Sequence, residues 1–170
     1  MEMAYEDVNR HETQFKIKVM SSSDTHPGFE PKILAFTCNW CAYAAADLAG
    51  TARAQYPANL RIIRVMCSGM VHPSLVTEAF EYGADGVLLM GCHLGECHYQ
   101  DGNQKAQMRS LVIEEVLSLM GLEPERFRLV WCSSAEAERF AAIVRETDEA
   151  LRSIGPSLYR KNASIRSKSE

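Results

Sequence analysis

Six cysteines carry most of the chemical information in this chain: Cys38 and Cys41 in CNWC, Cys67 in VMCSG, Cys92 and Cys97 in GCHLGECHYQDGN, and Cys132 in VWCSS. Thiolates ligate iron–sulfur clusters and zinc and act as nucleophiles in disulfide exchange, so their number and placement decide which chemistry is open. The C-x2-C pair can present two sulfurs to one ion or form a redox dithiol. Cys67, Cys92 and Cys97 raise the set to five, one more than a tetrahedral ion or a two-iron centre requires. An iron–sulfur cluster needs several thiolates in a partly shielded pocket. A structural zinc accepts the same ligands but typically stabilises modules with little core, and this chain has enough apolar residues for a core. A thioredoxin-like dithiol leaves three cysteines without a role. On spacing alone, cluster, zinc and dithiol all stay open, in that order of preference.

His93 and His98 directly follow Cys92 and Cys97. Adjacent side chains diverge, so both are expected to donate hydrogen bonds to cluster sulfur or to backbone instead of ligating metal. Cys132 ends an apolar run beside Trp131 and is expected to pack as a small hydrophobe. Met66, Met70 and Met90 are expected in the core or pocket wall. His72, before Pro73, is expected to cap or turn the chain. Glu136, Glu138, Arg145 and Glu146 are expected on a solvated helix face. No catalytic constellation is present, and no glycine-rich phosphate loop suggests a nucleotide.

These residues must be positioned by the elements around them. Four short apolar runs read as strands: 32–38, 60–67, 84–92 and 126–132, each compatible with burial on both faces. Helical stretches cover 42–56, 72–83 and 104–121, and a last helix follows a capping box of Ser133 and Glu136. In the third helix Met108, Leu111, Val112, Val116 and Leu119 recur at helical spacing and mark its expected buried stripe; in the last, Phe140, Ile143, Val144, Leu151 and Ile154 do the same. Alternating strand and helix predicts an α/β fold: a small open parallel sheet of about four strands with helices on both faces, flavodoxin-like or Rossmann-like, in the order 2-1-3-4. Every cysteine then lies at the C-terminal end of a strand or just beyond, so the thiols converge on the edge where such sheets bind ligands. The stretch from Gly91 to Asn103 is about twice the usual connection of ~2–6 residues, long enough to wrap a metal centre.

The chain has 170 residues, 46% of them hydrophobic, and a formal charge of -4. Such a balance argues against a nucleic-acid or anionic-membrane partner. No run approaches the roughly 20 apolar residues of a membrane span, and residues 1–30 contain no apolar secretory stretch. A cytoplasmic location is expected, where thiols stay reduced. The expected division is a polar N-terminal extension at 1–30, an α/β iron–sulfur domain at 31–155 and a polar tail at 156–170.

The stretches FTCNWCAYAAADLAG, RIIRVMCSGMVHPSLVTEAFEYGADGVLLMGCHLGECHY and GNQKAQMRSLV, in order across residues 31–155, resemble the iron–sulfur delta subunit of methyl-viologen-reducing (F420-non-reducing) hydrogenases. This family is associated with heterodisulfide reductase and with some formate dehydrogenases. The resemblance implies a 2Fe-2S cluster held by four of Cys38, Cys41, Cys67, Cys92 and Cys97. It further implies a non-catalytic member of an oxidoreductase complex in anaerobic metabolism such as methanogenesis. Electrons would pass between a hydrogenase or formate dehydrogenase and a heterodisulfide-reductase-like flavin subunit.

Overall fold

A computed structural model describes His26 and residues 28–160 of the chain. The expectations for the N-terminal extension and for 161–170 fall outside these residues. Strands β1 (Ile33–Cys38), β2 (Leu60–Val65), β3 (Gly86–Gly91) and β4 (Phe127–Trp131) alternate with helices α1 (Ala42–Thr51), α2 (Pro73–Glu81), α3 (Gly102–Leu119) and α4 (Ala137–Ile154). Short 3-10 turns at Ser68–Met70 and Pro124–Arg126 punctuate the connections after β2 and before β4.

All strand pairs are parallel, and the sheet order is β2-β1-β3-β4, as expected. Side chains on a strand alternate between faces, so β3 supplies both halves of the core. Leu88 and Met90 pack with α1 and α4 around Ala42, Ala45, Phe140 and Val144. Val87 and Leu89 pack with α2 and α3 around Val76, Phe80, Ala106 and Ile113. Helices therefore cover both faces, and every residue of β3 is buried.

Several local expectations need correction. Strand β2 is only partly buried, because it stands at the sheet's edge with one neighbour. Helix α1 stops at Thr51, since Arg53 takes a left-handed φ of 57°. The capping box is half formed: the Glu136 carboxylate accepts the Ser133 N–H at 2.6 Å, but a turn follows and the helix starts only at Ala137. The stripe assigned to α3 faces outward. Gly102, Asn103, Ala106, Ser110, Ile113 and Leu117 are its buried residues, whereas Met108, Leu111, Val112 and Leu119 are exposed. Met66 and Met70 are likewise exposed, and only Met90 is core.

The edge at which the strands begin is fastened by polar side chains. Asp85, fully buried, accepts the Lys32 N–H at 2.8 Å and the Ser157 N–H at 2.9 Å, and pairs with Arg160. Arg126, also buried, donates to the Asp85 and Gly155 carbonyls at 3.1 and 3.2 Å and pairs with Glu123. Asn59 Nδ2 bridges the Pro31 carbonyl and Asp148 Oδ1, both at 2.7 Å. Lys32, Asn59, Asp85 and Arg126 each immediately precede a strand, so these contacts fasten all four strand starts. Among the described residues, no helix is long and apolar enough to cross a membrane.

Candidate metal centre

Because the strands are parallel, their C-terminal ends share the opposite edge, and five cysteines gather there from three connections. Cys38 ends β1 and Cys41 sits at the N-cap of α1; Cys67 follows β2; Cys92 follows β3 and Cys97 lies further along the same loop. The Cys38 and Cys92 sulfurs are 3.6 Å apart, and both residues are buried. Cys41 interacts with the same Cys92 thiol. Cys67 and Cys97 form a second group, interacting with each other, and Cys67 also feels Cys38. Cys41 also feels Cys97, so the five form one connected basin.

The second group rests on backbone. A Cβ at Gly102 would lie 2.1 Å from Cys67 Sγ and 3.1 Å from Cys97 Sγ, so the two sulfurs occupy the space a side chain would take. Gly69 serves the same approach from the other side: a Cβ there would meet the Gly102 carbonyl oxygen at 2.5 Å. Two glycines therefore let the Cys67 turn close onto the start of α3. Arg109 of α3 locks the closure by donating to the Gly69 and Val71 carbonyls.

The loop from Cys92 onward is anchored by residues that spacing did not single out for this role. Asn103, fully buried, donates from Nδ2 to the Cys92 carbonyl at 3.2 Å and the His93 carbonyl at 2.6 Å. His93 Nε2 meets Glu136 Oε2 at 2.7 Å, joining the β3–α3 loop to the start of α4. Glu136 is consequently a bridge between loops and not part of a solvated face. Burial works against its charge, but the Ser133 N–H and His93 outweigh this and hold its carboxyl below the usual range. His98 takes a different path: its ring stacks on Trp40, centroids 3.8 Å apart, and meets Tyr99 edge-on at 5.0 Å. This contact pins the CNWC turn to the Cys97 loop. His72 caps α2, with Nδ1 accepting the Ser74 N–H at 3.2 Å.

The thiols are not electrostatically equivalent. Hydrogen bonding with Cys92 lowers Cys38 to about 6, against burial and with help from the Trp40, Cys41 and Ser68 N–H groups. Cys92 is pushed up because its proton is held in the hydrogen bond to Cys38, with burial adding to the effect. Burial raises Cys41 and Cys67. Cys132 stands apart: it is fully buried in the α1/α4 core, its thiol directed at the Ser133 and Glu136 carbonyls at 3.6 and 3.7 Å, and burial raises it to about 12. It packs as a hydrophobe.

Among the described residues, no three Cys, His, Asp or Glu side chains stand as a ready-made single-ion site. The donor chemistry nevertheless fits a thiolate-bound group, since five sulfurs share one rim and Gly102 leaves a cradle for two of them.

The family described as "Methyl-viologen-reducing hydrogenase, delta subunit" matches residues 33–155. The chain is 46% identical over 133 residues to an iron-sulfur subunit of the F420-non-reducing hydrogenase of Archaeoglobus profundus, covering 78% of this chain and 97% of that one. It is also 46% identical over 134 residues to an iron-sulfur subunit of the vhc F420-non-reducing hydrogenase of Methanococcus voltae, covering 79% and 93%. A different kind of relative belongs to the ferredoxin/F(420)H(2)-dependent CoB-CoM heterodisulfide reductase of Methanosarcina acetivorans. One of its subunits is 51% identical over 126 residues, which make up 74% of this chain but 16% of that one. Matched in one continuous stretch that holds all five rim cysteines, the chain belongs to the methyl-viologen-reducing hydrogenase delta-subunit family.

Proposed function

We propose that the chain is a non-catalytic electron-transfer subunit, located in the cytoplasm, that carries a 2Fe-2S cluster on four of Cys38, Cys41, Cys67, Cys92 and Cys97. The observation that supports this most is the gathering of five thiols from three separate connections at one sheet edge. The relatives named as iron-sulfur subunits favour an iron–sulfur cluster over one zinc on these thiols. When bound, such a cluster takes up and releases electrons. The chain's own residues set its surroundings. Gly69 and Gly102 admit the sulfurs, Asn103 and the Glu136–His93 pair orient the Cys92 segment, and the Trp40–His98 stack ties the CNWC turn to the Cys97 loop.

The relatives indicate the setting. Iron-sulfur subunits of hydrogenases and a heterodisulfide reductase polypeptide share this module. The chain accordingly relays electrons between a hydrogenase or formate dehydrogenase and a heterodisulfide-reductase-like flavin subunit. Anaerobic purification with iron and acid-labile sulfide analysis, followed by electron paramagnetic resonance after reduction, tests the reading. Two irons and two sulfides per chain with a signal from the reduced form are expected. Stoichiometric zinc without visible absorption overturns it.

A further inference from the structure

Thr37 precedes Cys38 at the end of β1 and is completely buried. Its Oγ1 has no hydrogen-bond partner among the described residues. Asn59 Oδ1 shares that condition, but Asn59 is tied through Nδ2 to Pro31 and Asp148, whereas the Thr37 side chain has only its one hydroxyl to satisfy. A buried hydroxyl left unpaired is penalised, and valine fills the same space on a strand without that penalty. A threonine at this position therefore points to an acceptor other than the polypeptide.

Its place in the fold narrows that acceptor. Alternation along β1 puts Thr37 with Ile33 and Ala35 on the face covered by α1 and α4. Its register partner on β3 is Met90, on the same face and two residues before Cys92. Cys41 stands at the N-cap of α1, which packs on this face through Ala42 and Ala45. Thr37 thus belongs to the last layer of side chains below the thiol rim, next to Cys38 in sequence and under the start of the helix that Cys41 caps. Sulfur is the acceptor chemistry concentrated there, with the Cys38 and Cys92 thiols 3.6 Å apart. None of the rim thiols, as placed, accepts from Thr37, which leaves a sulfur of the bound cluster.

We propose that the Thr37 hydroxyl donates a hydrogen bond to a sulfur of the bound cluster and raises its reduction potential. This assignment rests on the electron-transfer reading above and adds the residue that tunes it. Reduction places one more negative charge on the centre, so a donor aimed at sulfur stabilises the reduced form more than the oxidised one. Potentials of such centres follow hydrogen bonds to sulfur and exposure to solvent. Thr37 is sealed from water, so its hydroxyl acts as a fixed dipole in a medium that screens it little. The hydroxyl keeps its proton throughout, no covalent bond forms or breaks, and the electron comes from the neighbouring redox centre.

The test uses the full, cluster-loaded chain in an anaerobic potentiometric titration with dye mediators, followed by visible absorption and electron paramagnetic resonance. Thr37→Val holds iron at the wild-type level, but at a fixed potential its ratio of reduced to oxidised cluster falls at least about threefold, roughly 30 mV for one electron at about 59 mV per tenfold. Thr37→Ser, which keeps the hydroxyl, stays closer to wild type than to Thr37→Val. Electron–nuclear double resonance of the reduced wild type loses a proton coupling on exchange into heavy water, and that coupling is missing from Thr37→Val at the outset. In the metal-free chain Thr37→Val resists denaturant at least as well as wild type, because no partner is lost. If valine prevents loading, Thr37→Ala takes its place in the same comparison. Equal potentials in wild type and Thr37→Val overturn the proposal. So does an equal shift in Thr37→Val and Thr37→Ser, which reports packing alone, or a metal-free Thr37→Val chain clearly less stable than wild type. A wild-type chain with stoichiometric zinc and no visible absorption overturns the electron-transfer reading and this assignment together, whereas an unshifted potential in the iron-loaded variant overturns the assignment alone.

Discussion

Replacing Gly102 with alanine separates cluster binding from folding. Gly102 does not have a positive φ, so alanine is conformationally acceptable at the start of α3 and its helix preference is worth up to about 1 kcal/mol. Its Cβ, however, would lie 2.1 Å from Cys67 Sγ, against an ordinary carbon–sulfur contact of roughly 3.5–4.0 Å, so the sulfur must move well over 1 Å. A cysteine can do this by changing χ1, at a cost of about 0.5–1.5 kcal/mol if it ends off-rotamer. These two effects nearly cancel, and the metal-free Gly102→Ala protein should unfold within about 1 kcal/mol of wild type. Ligand positions tolerate only about 0.2 Å of error, so the displaced sulfur is lost as a ligand. After anaerobic reconstitution and desalting, iron per chain should fall by at least tenfold, with the visible absorption lost in proportion. Gly50→Ala is the control: nothing lies within 4 Å of its Cβ, so stability should rise by up to about 1 kcal/mol with iron unchanged. Wild-type iron content in Gly102→Ala would show that Cys67 and Cys97 do not hold the cluster where the cradle places them.

Asn103→Ala removes the donor to the Cys92 and His93 carbonyls and should cost about 10–100-fold in iron retention, measured as release to a chelator. Asp85→Ala takes the carboxylate away from two backbone N–H groups and from Arg160 and should destabilise the fold by about 3–5 kcal/mol in denaturant unfolding, with the rim thiols still able to take up iron. For Cys132 the folded pKa lies above the unfolded one, so the folded protein holds an extra proton between pH 9 and about 12. Stability should therefore decline with rising pH across that window by about 1.4 kcal/mol per pH step more in wild type than in Cys132→Ala, read from paired denaturant titrations. Native Cys132 should also resist alkylation at pH 9, and ready modification there would refute its burial.

The sheet and its thiol edge were legible because they depend on features that survive in one dimension. Four apolar runs separated by helical segments force parallel pairing, and a cysteine at the end of a parallel strand has one edge to go to. The α3 stripe misled because both sides of the helix are apolar. The larger residues, Met108, Leu111 and Leu119, dominate the periodicity, yet the buried side includes Ala106, Ser110 and Gly102, where close approach to the Cys67 turn matters more than bulk. Asn103, Arg109 and Glu136 were illegible as loop anchors, since a polar side chain's partner is set by the tertiary fold. Asn103 beside Gly102 reads locally as a turn; only the structure brings it under the Cys92 carbonyl.

The placement of these anchors has a physical reason. Cys38, Cys41, Cys67 and Cys92 resist ionising together in the absence of a cation. Burial disfavours the charge on Cys41 and Cys67, neighbouring thiolates add to that penalty, and the one proton shared by Cys38 and Cys92 lowers the first by raising the second. A rim of this kind must be held by groups other than its thiols, and Asn103, Arg109 and Glu136 do so beside it. The sheet is fastened in turn at its other edge, where Asp85 and Arg126 satisfy backbone groups before β3 and β4 and reach across to Lys32, Gly155 and Ser157. Strand starts are fixed by neutralised, hydrogen-bonded charge, and strand ends present sulfur on loops held by Asn103, Arg109 and Glu136. The length of β1 and β3 alone, about 20 Å at roughly 3.3 Å per residue, keeps the two kinds of electrostatics apart.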